Sequence, residues 1–215
     1  MKGLLTKDII QIRTAYLTFF PFLIFMSVLC AIGTMKNGSI PFAILPMVSI
    51  FQAIMPLTLI MDDLKTGFDK MSVTLPNSRK DYMGSKFMLT AINALASGAF
   101  FMLVTAAAAH FSGNPVNDPI SGGIMISALS LAVSAFIMPF VSKSRSASGA
   151  RIAYTVSLVI YGSISGGFVS RLGMKDSIYG VHIPVKTSAA VLGVMAVLTV
   201  ISYLISTALY EKKDI

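Results

Sequence analysis

Charge is scarce in this chain. Only 12% of its 215 residues are Asp, Glu, Lys or Arg, against roughly 25% in a soluble globular domain. With 55% hydrophobic residues and a mean hydropathy of +0.78, that scarcity excludes an ordinary soluble domain and points to the membrane. Cysteine is scarcer still. Cys30 is alone inside an apolar run, which excludes an internal disulfide and leaves a thiol nucleophile or a cysteine metal site without neighbours. The phosphate loop Gly-x-x-x-x-Gly-Lys-[Ser/Thr] is missing, so no nucleotide site of that type is expected in the chain itself. His110 and His182 have no carboxylate or second histidine at ligand spacing, and solvated or hydrogen-bonded roles suit them better than metal or acid–base chemistry. No metal and no catalytic group is expected.

What is present is oil in long runs. Six stretches contain no Asp, Glu, Lys or Arg: Tyr16–Gly33, Pro41–Met61, Phe87–Phe111, Ile120–Val141, Ile152–Val169 and Ala189–Tyr210, each at least 18 residues long. About 20 apolar residues at ~1.5 Å rise cross the ~30 Å hydrocarbon layer. Backbone groups in lipid must be satisfied within the segment, so the runs predict helices. The expected class is all-α: a polytopic membrane protein with six transmembrane helices. The absence of charge inside the runs argues against proton relays and ion-coupled pumps, which keep ionisable groups at mid-membrane. The first run is read as a span and not as a cleaved signal, because it lacks a small-residue cleavage site before Lys36.

The basic residues are distributed unevenly between the runs. Lys2, Lys7, Arg13, Lys65, Lys70, Arg79, Lys80, Lys86, Lys143, Arg145, Arg151, Lys212 and Lys213 fall on one side, and Lys36, Arg171, Lys175 and Lys186 on the other. That bias predicts cytoplasmic termini. The net charge of +8 forms no continuous patch, so it fits anionic headgroups and topology better than nucleic acid. In residues 1–14, Met1, Leu5, Ile9 and Ile12 share a helical face opposite Lys7 and Gln11. An amphipathic helix on the inner membrane surface is expected there, with a frayed tail as the alternative. Pro46 and Pro56 are expected to kink or loosen the second helix. Gly162, Gly166 and Gly167 offer a small-residue face for helix packing, as does Ala106–Ala109. Gly162-Ser-Ile-Ser-Gly166 only superficially matches the serine motif of intramembrane proteases, since Ser163 stands where a glycine is needed. Residues 170–188 are expected to fold against the outer face.

One polar island interrupts the oil. Residues 62–86 hold nine charged residues and are where the chain can meet a soluble partner. Gly67 to Thr74 can form a short helix with Phe68, Met71 and Leu75 on one side and Asp69 and Lys70 beside them as rim charges. Pro76 ends it, because the residue before proline avoids the helical region. Ser78 then reads as an N-cap, with Asp81 near the N-terminus of a helix that runs through Lys86.

The island also carries a resemblance. Met1-Lys-Gly-Leu-Leu with Lys7-Asp8, then Asp63-x-x-x-Gly67-Phe68-Asp69, Thr74-Leu75-Pro76-x-Ser78-Arg79-Lys80 and Ser85-Lys86, and the ending Tyr210-Glu-Lys-Lys resemble the permease subunit of type 2 ATP-binding-cassette (ABC) exporters. The similarity is to the small six-span bacterial subclass serving peptide toxins and antibiotic resistance. Tryptophan usually follows the glycine in that family, and Phe68 keeps an aromatic there. The resemblance implies one permease domain over residues 1–215, multi-pass in the bacterial cytoplasmic membrane. Residues 1–14, with Leu5, Ile9 and Ile12, would be its interfacial helix. The loop 62–86 would seat a coupling helix in a groove of the ATPase through Gly67, Phe68, Asp69, Lys70, Met71, Thr74, Leu75, Pro76, Ser78 and Arg79, with Phe68 as anchor. It further implies two ATPase chains carrying ATP and magnesium, and a second permease chain, identical or sibling. The cargo would be amphipathic peptides such as phenol-soluble modulins or antimicrobial peptides, along a path touching Gln52, Tyr161 and Ser165. A lipid or hydrophobic-drug exporter, an ATP-independent channel or secondary carrier, and a structural membrane anchor are the alternatives.

Overall fold

The computed structural model describes residues 2–37, 44–69, 71, 79–112, 119–144, 146–171 and 184–212. Six long helices account for most of them: α1 Lys2–Asn37, α2 Ile44–Thr66, α3 Arg79–Ser112, α4 Pro119–Lys143, α5 Ala147–Arg171 and α6 Val185–Glu211. No strand occurs among the described residues, so the protein is all-α. Three of the helices, over Arg79–Phe111, Pro119–Lys143 and Val185–Glu211, are long and apolar enough to cross a membrane.

Helix α4 is the centre. It packs against α2, α3, α5 and most extensively α6, while α1 lies against α3 and α2. Its buried stripe alternates apolar residues such as Ile126, Val133 and Ile137 with Ser127, Ser130 and Ser134. Two of these hydroxyls bond back into their own helix, Ser127 to the Gly123 carbonyl at 3.2 Å and Ser134 to that of Ser130 at 3.0 Å, so their burial leaves no hydrogen bond unmade. Ser202 of α6 instead reaches across to the Ala135 carbonyl at 2.7 Å. The side chains buried on α6 are Ser188, Ser202, Ser206, Thr207 and Tyr210, whereas Val194, Val197, Val200 and Leu204 face out. Small and hydroxyl-bearing residues inside, aliphatics outside, is the distribution expected where lipid replaces water.

Among the described glycines, the closest approach of two helices is between α3 and α4. A Cβ at Gly98 would overlap Ser127 Oγ and come within 2.5 Å of the Gly123 carbonyl oxygen, and one at Gly123 would come within 2.7 Å of the Gly98 oxygen. Gly162, expected on the packing face, differs: a Cβ there would meet no atom within 4 Å. Of the Ala106–Ala109 run, Ala108 is buried while Ala106 and Ala107 are exposed. The close small-residue contact among the described glycines is thus between α3 and α4; the surroundings of Gly166 and Gly167 lie outside the described residues.

A second departure concerns the N-terminus. Residues 1–14 do not form a separate surface helix, since α1 continues from Lys2 through the first apolar run to Asn37. Its inward face is Leu4, Asp8 and Ile12, while Ile9 is 49% exposed and Leu5 is intermediate. Ile12 packs with Leu59 and Leu89. Ile12 belongs both to the stripe expected from sequence and to the buried one, while Leu5 and Ile9 lie to one side of Asp8, which the fold buries. Helix α2 runs from Ile44 to Thr66 and includes Pro46 and Pro56.

The largest apolar cluster gathers Ile60, Tyr82, Met83, Phe87, Val141, Ala150 and Tyr210. These lie near the end of α2, the start of α3, the end of α4, the start of α5 and the end of α6. They lie at the end of the bundle where α2 closes at Gly67, and the cluster continues along α4 through Met138, Ile137 and Val133.

Candidate functional site

Helix α2 stops at Gly67, the one glycine among the described residues with a positive φ, at 73°. A left-handed glycine after the last turn closes a helix without the Cβ clash any other L-residue would suffer. Thr66 Oγ1 covers two of the terminal carbonyls, donating to that of Asp62 at 2.9 Å or Asp63 at 3.3 Å. Helical backbone resumes after it, with Met71 N–H donating to the Gly67 carbonyl at 3.2 Å. Phe68 packs inward against the apolar cluster, Asp69 is buried, and Met71 is 59% exposed.

Two sequence expectations change here. Phe68 and Met71 do not share one outward face, because Phe68 has turned into the bundle. Asp69 is not a rim charge, and the Tyr210 hydroxyl points at its backbone carbonyl at 3.5 Å. Lys70, Thr74, Leu75, Pro76 and Ser78 lie outside the described residues. Arg79 begins α3, and Asp81 lies in the first turn, where an acidic group complements the helix dipole.

Beneath this turn is a charge cluster drawn from three helices. Lys86 of α3 is fully buried, with Nζ 2.7 Å from Asp8 Oδ1 of α1 and 2.7 Å from Asp63 Oδ2 of α2. Lys7 Nζ is hydrogen-bonded to Asp63 Oδ1 and lies 3.5 Å from Asp8 Oδ1. Tyr82 donates its hydroxyl to Asp63 Oδ2 at 3.0 Å. Ser85 Oγ sits 3.1 Å from Asp8 Oδ2 and 2.9 Å from the Tyr82 carbonyl, its single proton serving either. Two carboxylates and two ammonium groups balance, and each carboxylate has a hydroxyl at hand besides. That completeness is what a buried ionic cluster requires, because desolvation otherwise outweighs the attraction. With both aspartates engaged by lysines, the cluster joins helices and offers no free base.

The chain's other end closes over the same region. Tyr210 stacks on Tyr82 with ring centroids 5.1 Å apart. Arg79 donates to the Glu211 carbonyl at 2.6 Å, and Lys80 lies 3.9 Å from the Glu211 carboxylate. A guanidinium on the last carbonyls of α6 is the favourable sign for a helix C-terminus. The turn after α2 is therefore mounted on the start of α1 and the end of α6 together.

The six apolar runs hold no charge, yet Asp8, Asp63 and Lys86 are buried at or near their edges. The sequence motifs contain all three without bringing them together, because 78 positions separate Asp8 from Lys86. The usable signal is Asp8 midway between Leu4 and Ile12 at i+4 spacing.

Of the expected path residues, Tyr161 lines a cavity of about 360 Å³ between α4, α5 and α6, with Phe136, Pro139, Met195 and Leu198. Side chains of Gln52 and Ser165 lie outside the described residues. His110, at the end of α3, is exposed and edge-on to Phe111.

No curated protein and no solved structure matches the chain significantly. The family profile described as ABC-2 family transporter protein matches residues 3–211. That span runs from the first turn of α1 to the last residue of α6 and takes in both arms that hold the turn. The chain belongs to the ABC-2 transporter family.

Proposed function

We propose that the chain is the membrane permease of an ABC exporter, and that residues 67–78 receive the stroke of a separate ATPase. Family membership supports an ATPase partner. The observation that carries the coupling reading is the mounting of the turn: Gly67 directs the backbone out of α2, and the buried ions and Tyr210 anchor the turn beyond it. A rigidly held projection transmits force into packed helices, where a slack loop would absorb it. Met71 is the exposed apolar residue that a groove on the ATPase would take, with Phe68 carrying the load inward. Two permease chains, identical or sibling, with two ATPases carrying ATP and magnesium would form the working unit, with the termini and the loop cytoplasmic in a bacterial cytoplasmic membrane.

Export of amphipathic or hydrophobic peptides is the favoured cargo class. The supporting observation is the cavity beside Tyr161, whose lining is almost wholly apolar and asks of a cargo little beyond a nonpolar face. Lipids and hydrophobic drugs meet the same condition. The test is co-purification with a candidate ABC ATPase, then hydrolysis measurements with each cargo class. Burying Met71 in a groove contributes about 1.5–3 kcal/mol, so Met71→Asp should weaken co-purification more than tenfold while expression stays normal. Full retention of the ATPase by Met71→Asp would remove the docking role. Uphill transport by the isolated chain on a proton gradient would favour a secondary carrier.

A further inference from the structure

Lys7 occupies a place that no other member of the charge cluster shares. Its ammonium is bonded to Asp63 in the last turn of α2, and it also lies 3.7 Å from the centroid of the Phe68 ring. Phe68 is the first residue beyond the Gly67 turn. One cation on α1 thus touches both the fixed end of α2 and the first side chain of the projecting segment.

We propose that Lys7 is a positioning residue for that segment: it orients Phe68, and through it a displacement of the turn reaches α1. The proposal rests on the coupling role of the turn given above, but the contact itself belongs to this chain alone. A cation within ~6 Å of an aromatic centroid is attracted by the ring face, more strongly when water is kept away. Phe68 is half-buried against the apolar cluster, so its ring is partly dry.

The two lysines divide the work by exposure. Lys86 is 1% exposed and held between two carboxylates. Withdrawing it would leave charges stranded in a dry site, so it pins α1, α2 and α3 together. Lys7 is 30% exposed. Its ammonium can swing to water when Phe68 moves, and Asp63 keeps Lys86 and Tyr82 as partners. Lys86 is the fixed pin; Lys7 is the contact that makes and breaks. Its nearest aromatic is also different, since Lys86 sits 5.1 Å over Tyr82, on its own helix.

The contact can be read without any partner. A spin label at Met71→Cys in a Cys30→Ser background, in lipid nanodiscs, reports whether the turn is docked. Lys7→Met keeps the aliphatic stem and removes the charge. It should shift the ratio of docked to undocked label roughly two- to fivefold, the range of a surface to partly buried cation–ring contact. Lys7→Arg should restore the wild-type spectrum, because a guanidinium pairs with a carboxylate and stacks on a ring. Lys65→Met, which loses only an exposed pair with Asp62, should change nothing. Phe68→Leu leaves the charge cluster intact and should reproduce the Lys7→Met spectrum, giving a second reading if Lys7→Met folds poorly. Unchanged label motion in both Lys7→Met and Phe68→Leu overturns the proposal, and so does Lys7→Arg behaving like Lys7→Met. With the ATPase bound, Lys7→Met should lower cargo-stimulated hydrolysis and Lys7→Arg should recover it. Full stimulation in Lys7→Met overturns the transmission step. An ATPase that never binds the wild-type chain, alongside the expected spectra, removes the coupling reading and leaves the Lys7–Phe68 positioning contact supported.

Discussion

Replacing Lys86 with methionine is the sharpest probe of how the bundle is held. Methionine nearly matches the lysine stem in shape, so the packing against Tyr82 and the apolar cluster survives and the charge alone is lost. Asp8 and Asp63, each 1% exposed, would then share Lys7 as their one remaining cation. Removing one partner of a buried pair costs about 3–5 kcal/mol, and Lys86 serves two partners, which places the loss at the upper end. For a domain of about 200 residues that is a fall in Tm on the order of 10 °C. The matched control is Lys65→Met, whose 3.0 Å pair with Asp62 is close to half exposed on both sides and contributes ~0–1 kcal/mol. Adding Asp8→Asn to Lys86→Met restores charge balance around Asp63 and Lys7, so the double variant should lose less than the sum of the singles, by about 1–3 kcal/mol. Thermal unfolding in detergent, monitored by size exclusion, ranks the variants. A Lys86→Met midpoint equal to that of Lys65→Met, or strict additivity in the double variant, would refute the reasoning.

Two further outcomes are expected. Gly98→Ala must push α3 and α4 apart and should cost about 1–3 kcal/mol, whereas Gly162→Ala meets open space and should be neutral or stabilising by up to ~1 kcal/mol through helix propensity; equal effects in thermal unfolding would contradict the crossing. Single cysteines at Asn117 and Ser177 in Cys30→Ser protein should react with a membrane-impermeant thiol reagent in intact cells and one at Asn77 should not, as the Lys and Arg bias predicts for a cytoplasmic 62–86 loop; labelling at Asn77 reverses the topology.

Legibility in the sequence tracks distance along the chain. A run such as Ala189–Tyr210 announces a helix by itself, because length and apolarity are local properties. The turn after α2 is legible for the same reason, since Gly67 supplies its own backbone signal. The cluster is not, because Lys7, Asp63 and Lys86 become neighbours only when three helices pack. Charged side chains bordering apolar runs read equally well as topology signals, and that reading absorbs Lys7 and Lys86 without asking what they touch. Phe68 shows the same limit: its spacing from Met71 is helical, but helical backbone that resumes after a left-handed glycine faces a different way from a regular helix continued from α2.

The meeting of Gly98 and Gly123 has a mechanical consequence. Where side chains lie between two helices, rotamers give way and the interface behaves like a cushion. Here the main chain of each helix lies against that of the other, with the short Ser127 side chain and Met102 Cβ beside it, so the crossing yields little unless the peptide planes distort, at about 1 kcal/mol for ~12°. Helices α3 and α4 therefore behave as one beam, with Lys86 riding near one end of it. A push delivered at that end turns the beam as a whole.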